Sequence, residues 1–240
     1  MKVILGLMVC CVFMACQSTE VDTNNTVSIA KSVGFSSERL NRITPAMQSY
    51  IDQGKLAGTL TLVAKDGKIA YLNAQGMQDK EASIPMSEDA IFRIYSMSKP
   101  ITTVAAMTLW EQGKFHMFDP IAKYLPEFAN MKVYVSGSGA DMVLEDAKSP
   151  IRIIDLFMHT SGLSYGFTGS EVDKLYQQLF SNPEAITPEN IVGKIAALPL
   201  NHQPGTAWHY GFSTDVIGFL VEKLSGKKLG EYMQETIFSP

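Results

Sequence analysis

The chain has 240 residues, 46% of them hydrophobic and 18% charged, with a net charge of −4. That is enough apolar material for one globular domain with a real core. The acid excess is slight and the basic residues are scattered, so no nucleic-acid partner is expected.

Lys2 is followed by an apolar run to about Cys16, then by the polar Gln17-Ser18-Thr19-Glu20. The run is too short to span a bilayer as a mature helix but has the length of a signal-peptide core. A buried N-terminal helix is the competing reading, set aside because the run shows no polar face. All three cysteines, Cys10, Cys11 and Cys16, lie in this segment, so no disulfide framework is expected in the domain that follows. Phe13-Met14-Ala15-Cys16 resembles a bacterial lipobox, with Phe13 replacing the more usual leucine. Acylation of Cys16 and simple secretion both stay open. The expected organisation is a signal peptide over 1–16, a polar tether over 17–34 and one domain over 35–240. The protein is expected to be exported, either periplasmic or anchored to the envelope through Cys16, which would be its one membrane contact.

Ser36 or Ser37 is placed to cap a helix with Leu40, Ile43, Met47, Tyr50 and Ile51 on one face, bent or shortened by Pro45. Strand-like runs at 59–64 and 68–73 flank Lys65-Asp66-Gly67, a strong hairpin signal. A strand-like apolar run at 90–95 leads into a helix expected over 96–112, stopped by Gly113. Asp119-Pro120 opens a short helix, Gly137-Ser138-Gly139 marks a loop, and 151–159 reads as a helix. Thr187-Pro188-Glu189 is a helix start, with the cap followed by proline. Residues 215–224 form a helix closed by Ser225-Gly226, and 232–237 begin another. Strands followed by many helices, without alternation, predict an α+β fold. So few strands make a poor sheet for this many helices, and the chain reads as the first part of something longer.

A serine followed three residues later by lysine is a cheap pattern, and it occurs here at Ser28…Lys31, Ser96…Lys99 and Ser225…Lys228. Ser28 lies in the tether. Ser225 lies at a helix end where Gly226 turns the backbone away. Only Ser96 opens a long helix. Residues three apart on a helix face the same way, so Lys99 can reach the Ser96 hydroxyl. The unpaired N–H groups of the first turn favour negative charge there and disfavour a protonated lysine. A deprotonated amine could then take the serine proton. Spacing and context alone leave a solvent-facing pair as an equal reading.

The segment Phe92-Arg93-Ile94-Tyr95-Ser96-Met97-Ser98-Lys99-Pro100 resembles the nucleophile segment of the serine β-lactamase and penicillin-binding group, and most of all its class C-related, esterase-like branch. The resemblance continues through Asp119–Phe128, Ile153–Leu163 and Pro204–Gly226, in order and spacing. It implies a β-lactamase/transpeptidase-like fold, an antiparallel sheet flanked by a mostly helical subdomain, here stopping before the C-terminal strands. It also implies an acyl-enzyme mechanism with Ser96 as nucleophile and Lys99 as its base. Tyr210, in Trp208-His209-Tyr210-Gly211-Phe212, takes the place of the group's second catalytic element and would pass the proton to the leaving group. Phe212 stands where many members carry the asparagine that holds a substrate amide. Trp208 and Phe212 are therefore expected to contact substrate, and a carboxylesterase is preferred over a β-lactamase or D-amino-acid peptidase.

Tyr71-Leu72-Asn73 precedes the nucleophile and is read as structural. The group's third element, a Lys/His/Trp-x-Gly triplet on a late strand, is not found; Lys228-Leu229-Gly230 fits the letters but falls between helices. His159 is expected to cap or pack. His116, His202 and His209 lack metal-ligand spacing and no phosphate-cradling loop is present, so neither metal nor cofactor is expected. The expected partner is a small ester, amide or β-lactam. A non-catalytic envelope protein retaining the fold for binding is the reading from another class.

Overall fold

Asp66 and Gly67, at φ 53° and 72°, supply the left-handed turn that folds β1 (Gly58–Lys65) back on β2 (Lys68–Asp79) as an antiparallel hairpin. The hairpin is where the sequence puts it, but β2 continues six residues past Asn73 and gains a short partner, β3 (Ile84–Pro85). Before it, the Ser36 hydroxyl accepts from the Arg39 N–H at 3.3 Å and caps α1 (Ser37–Leu40). The chain then breaks and restarts as α2 (Ile43–Asp52). Pro45 falls in the first turn of α2, where its missing N–H has no intrahelical bond to lose. Tyr71 is buried on β2 and its hydroxyl lies 2.7 Å from Thr44 Oγ1, a packing role for the Tyr71-Leu72-Asn73 triplet.

In this computed structural model the described residues are 29–181, 184, 186–187 and 190–239. The apolar N-terminal run with Cys16, the tether as far as residue 28, and Pro188-Glu189 of the expected helix start lie outside them. The chain divides into two compact units, residues 1–93 and 94–240. The elements above belong to the first. The strand-like run at 90–95 is not a strand: residues 90–94 are irregular, Tyr95 begins a 3₁₀ turn, and Ile91 is 98% exposed. The apolar letters suggested a strand, but the segment joins no ladder.

The second unit is built on α3 (Ser98–Glu111) packed against α7 (Ser213–Ser225). Thr102, Ala105, Ala106 and Leu109 of α3 are buried, as are Val216, Ile217, Leu220 and Val221 of α7. The small alanines permit close approach, and the aliphatic residues fill the space around them. The short α8 (Leu229–Met233) joins them, with Tyr232 Oη 2.7 Å from Thr108 Oγ1 on α3. Lys228-Leu229-Gly230 starts this helix.

Several elements here differ from the sequence reading. Asp119-Pro120 leads into 3₁₀ turns, Ile121–Lys123 and Pro126–Phe128, not an α-helix. The loop signal at Gly137-Ser138-Gly139 is the tip of an unforeseen hairpin, β4 (Lys132–Ser136) with β5 (Val143–Asp146). All of β5 is exposed, so its Val-Leu-Glu-Asp letters carry no alternating pattern. The hairpin is fixed from β4, which exchanges backbone bonds with Leu200 at 2.9 and 2.8 Å. The helix expected over 151–159 is the shorter α4 (Ile153–Phe157), begun by the Arg152–Asp155 pair. Helix α5 (Glu171–Phe180) was not foreseen, although Ser170 and Asp173 form a capping box at its start; α6 spans Ile191–Ala196.

Asp173 is fully buried. Burial alone would raise its pKa, but bonds from Ser164 Oγ, from the Thr168 hydroxyl and N–H, and from the Ser170 N–H together hold it at about 2. The folded state therefore binds this proton more weakly than the unfolded chain, whose carboxyl titrates near 3.8. The stabilisation is complete above that value and is lost as pH falls towards 2. Asp173→Asn should cost about 1–3 kcal/mol, because its amide N–H₂ would face donors. Urea melts at pH 7 and between pH 4 and 2 check both the loss and a weaker acid dependence in the variant.

Candidate active site

Every residue of the site lies in the second unit. Ser96 sits in the middle of a 3₁₀ turn, Tyr95–Met97, and the α-helix proper begins at Ser98. This shifts the expected helix start by two residues, since a 3₁₀ turn often leads into an α-helix. Tyr95, directly before Ser96, has φ 45°, a left-handed conformation that a bulky residue adopts only under constraint. In the tight turn, side chains three apart nearly eclipse, and the Lys99 amine donates to Ser96 Oγ at 3.3 Å.

Tyr210 arrives from the other side. The 205–212 segment is bonded to the loop after α4, with Gly205 N–H to Thr160 O at 2.8 Å, His209 N–H to His159 O at 2.8 Å and Phe212 N–H to Ser164 O at 3.3 Å. At Gly211 the two backbones are so close that a Cβ would lie 2.1 Å from the Leu163 oxygen. That apposition points the Tyr210 hydroxyl at Ser96 Oγ, to which it donates at 3.0 Å. The nearby Lys99 ammonium, then the Ser96 hydroxyl, favour the phenolate and draw the Tyr210 phenol below its ordinary range. His209 is tied beneath, its Nε2 3.2 Å from both Asn201 Nδ2 and Ser164 Oγ, which links this strand of chain to the Asp173 cluster.

The structure thus brings Ser96, Lys99 and Tyr210 together. Trp208 stands beside them, 68% exposed, its ring 6.3 Å from that of Tyr210. Phe212 is set deeper, its ring 4.8 Å from Phe180 and 4.2 Å from Tyr165. His159 closes one side with its ring 5.0 Å from Tyr210 and its backbone at φ 55°. Burial first, and then the Lys99 charge, keep its imidazole below the usual histidine range, so it is neutral at pH 7.

Two residues at the site were missed from sequence. The Tyr165 ring lies 5.1 Å from Lys99 Nζ, as the Tyr210 ring does at 5.0 Å. Its hydroxyl donates to Asp215 in the first turn of α7. Burial, and next that bond, push the Tyr165 phenol well above its ordinary value. Tyr165 is two residues beyond the recognisable Ile153–Leu163 stretch, and Asp215 reads as an ordinary helix-start acid, so neither carried a signal. Among the described residues, no cluster suited to a metal ion is present.

The sequence profile of the Beta-lactamase family matches residues 42–240. The chain belongs to the β-lactamase family. Protein Rv1367c of Mycobacterium tuberculosis is 36% identical over 196 residues, 81% of this chain and 48% of that one. Esterase EstB of Burkholderia gladioli is 30% identical over 203 residues, 83% of this chain and 49% of that one. Among solved structures, unliganded simvastatin synthase LovD from Aspergillus terreus has a TM-score of 0.71 at 26% identity, over 85% of this chain and 53% of its own. The fold is accordingly β-lactamase/transpeptidase-like, and the chain spans about half the length of the curated relatives it matches.

The same substitution at two glycines tests the close approach that places Tyr210. Gly211→Ala must push the backbones apart and should cost about 1–3 kcal/mol or more. Gly193→Ala, in α6 with open space around the new methyl, should stabilise by roughly 0.5–1 kcal/mol. Paired chemical melts read both signs.

Proposed function

We propose that this protein of the β-lactamase family is an exported serine hydrolase that works through an acyl-enzyme and takes carboxylic esters. The observation that carries the reading is the convergence of the Lys99 amine and the Tyr210 hydroxyl on one serine oxygen, at 3.3 and 3.0 Å. Relatives named as esterases, among them EstB and the lovastatin esterase of Penicillium rubens at 32% identity, support it.

In the reactive protonation state the Lys99–Tyr210 pair has lost one proton, and Ser96 donates to the vacated acceptor. Ser96 Oγ attacks the carbonyl carbon as its proton moves to that acceptor. The tetrahedral species then expels the alcohol, which leaves with the proton from Tyr210. Water attacks the acyl carbon and returns a proton to the pair, and Ser96 departs carrying it, freeing the acid. The depressed Tyr210 pKa suits the phenol to this traffic.

The preference for esters over β-lactams and peptides rests on Phe212. Its ring stacks on Phe180, meets Tyr165 edge-on, and offers no hydrogen bond to a substrate amide. Trp208 and, behind Tyr165, Phe212 would form the apolar side of the substrate site. We also infer that residues 1–16 direct export and that Cys16 accepts a lipid; secreted, unlipidated protein is the alternative.

The whole protein should hydrolyse a chromogenic ester faster than a chromogenic cephalosporin, compared by kcat/KM. Ser96→Ala should lower ester turnover about 10³-fold or more, and Tyr210→Phe about 10²–10⁴-fold. Turnover unaffected by Ser96→Ala would refute the assignment. A serine-directed fluorophosphonate that fails to label Ser96 would point to a binding protein instead. The rate should rise with pH as the pair deprotonates, and Lys99→Met should move that rise to higher pH, because it removes the charge that favours the Tyr210 phenolate. Radiolabelled palmitate should enter the wild type and not Cys16→Ser; processed but unlabelled protein would mean simple secretion, and unprocessed cytosolic protein would contradict export.

A further inference from the structure

We propose that Tyr165 is a positioning residue of this site: its ring seats the Lys99 amine while its hydroxyl engages Asp215, so that the amine faces Ser96 instead of pairing with that carboxylate. This deepens the hydrolase reading above and rests on it.

Lys99 and Asp215 line one cleft of about 150 Å³, whose walls also include Tyr95, Ser98, Thr102 and Thr214. An amine and a carboxylate in one cleft would ordinarily form an ion pair. Among the described residues none forms with Lys99. Tyr165 touches both groups. Its hydroxyl is donated to Asp215 Oδ2, and its ring lies 5.1 Å from Lys99 Nζ. With the Tyr210 ring at 5.0 Å, and the two rings themselves 5.4 Å apart, the amine sits against an adjoining pair of aromatic rings, which attract an ammonium while leaving its N–H groups to meet Ser96.

The groups around the amine take complementary parts. Ser96, on the turn before α3, accepts its hydrogen bond. Tyr210, before α7, is the phenol made easier to ionise, by Lys99 first and Ser96 second. Tyr165, after α4, is the phenol made harder to ionise, by burial first and Asp215 second, so it remains a donor. His159 is held neutral. The Asp215 charge reaches both Tyr210 and His159, opposing larger effects on each. Two tyrosines against one lysine are thus divided between proton transfer and placement by their surroundings.

The consequence is specific. Removing the Tyr165 hydroxyl frees Asp215 to pair with Lys99. An opposite charge at that range raises an amine's pKa by about 1–3 units, and a lysine drawn to Asp215 is drawn off Ser96. The test compares wild type, Tyr165→Phe, Tyr165→Phe with Asp215→Asn, and Ser96→Ala in the whole protein, by kcat/KM for a chromogenic ester against pH. Tyr165→Phe should lower kcat/KM about 10–100-fold, the scale of a misplaced catalytic group. Its rising pH limb should move up by about one unit. Adding Asp215→Asn should restore most of the rate and return the limb, which a merely structural role for Tyr165 would not allow. Because the double variant retains the Tyr165→Phe change, recovery also shows that the loss is not misfolding. A double variant no faster than the single, or an unmoved pH limb in the single, overturns the proposal. Wild-type turnover that survives Ser96→Ala overturns the hydrolase reading beneath it, and is distinguishable because that variant leaves Tyr165 and Asp215 untouched.

Discussion

Tyr210 and Ser96 are 114 residues apart, and their hydroxyls meet because two stretches of backbone lie against each other with no side chain between them. Gly211 under the Leu163 carbonyl is the closest point of that contact. On one side of it the loop after α4 carries His159 and Tyr165; on the other run Trp208, Tyr210 and the start of α7 with Asp215. Aromatic groups at the site are thus delivered by one apposition, and its spacing sets theirs. It is braced from below by the buried Asp173, which orders the Ser164–Ser170 loop and, through Ser164, touches His209.

The other support is the packing of α3 on α7. Buried alanines on α3 let the helices come close, and the first turns of both then face one cleft, Ser98 and Lys99 from one and Thr214 and Asp215 from the other. A helix start is a natural place for a nucleophile, since unpaired N–H groups gather there. It also brings a carboxylate near the lysine, because acids favour the first turn of α7 as well. The same packing that builds the cleft therefore creates a competitor for the amine, and Tyr165 occupies the carboxylate.

Local chemistry made part of this legible. The Asp66-Gly67 turn, the Ser36 cap, and the helices at 98–111 and 213–225 follow from patterns that neighbouring residues complete by themselves. The Ser96–Lys99 pair was visible for the same reason, since a single turn decides whether residues three apart can meet. The β4–β5 hairpin was not, because its register comes from Leu200, far along the chain, and its exposed strand shows no alternation. The run at 90–95 failed in the opposite sense: it has strand-like letters but no neighbouring strand. Helix α5 did announce itself through Ser170 and Asp173, but its start falls after a loop whose order depends on burying that aspartate.

What the sequence determined by itself is the local chemistry: a serine with a lysine one tight turn away, and a family pattern around them strong enough to carry Tyr210. Tertiary structure decided which aromatic groups surround that pair and what each is fit to do. Tyr165 and Tyr210 are the same letter, yet one phenol is held protonated and the other eased towards ionisation. The difference lies in burial and in which charge sits beside each hydroxyl, and those are set by segments that meet only when the chain has folded.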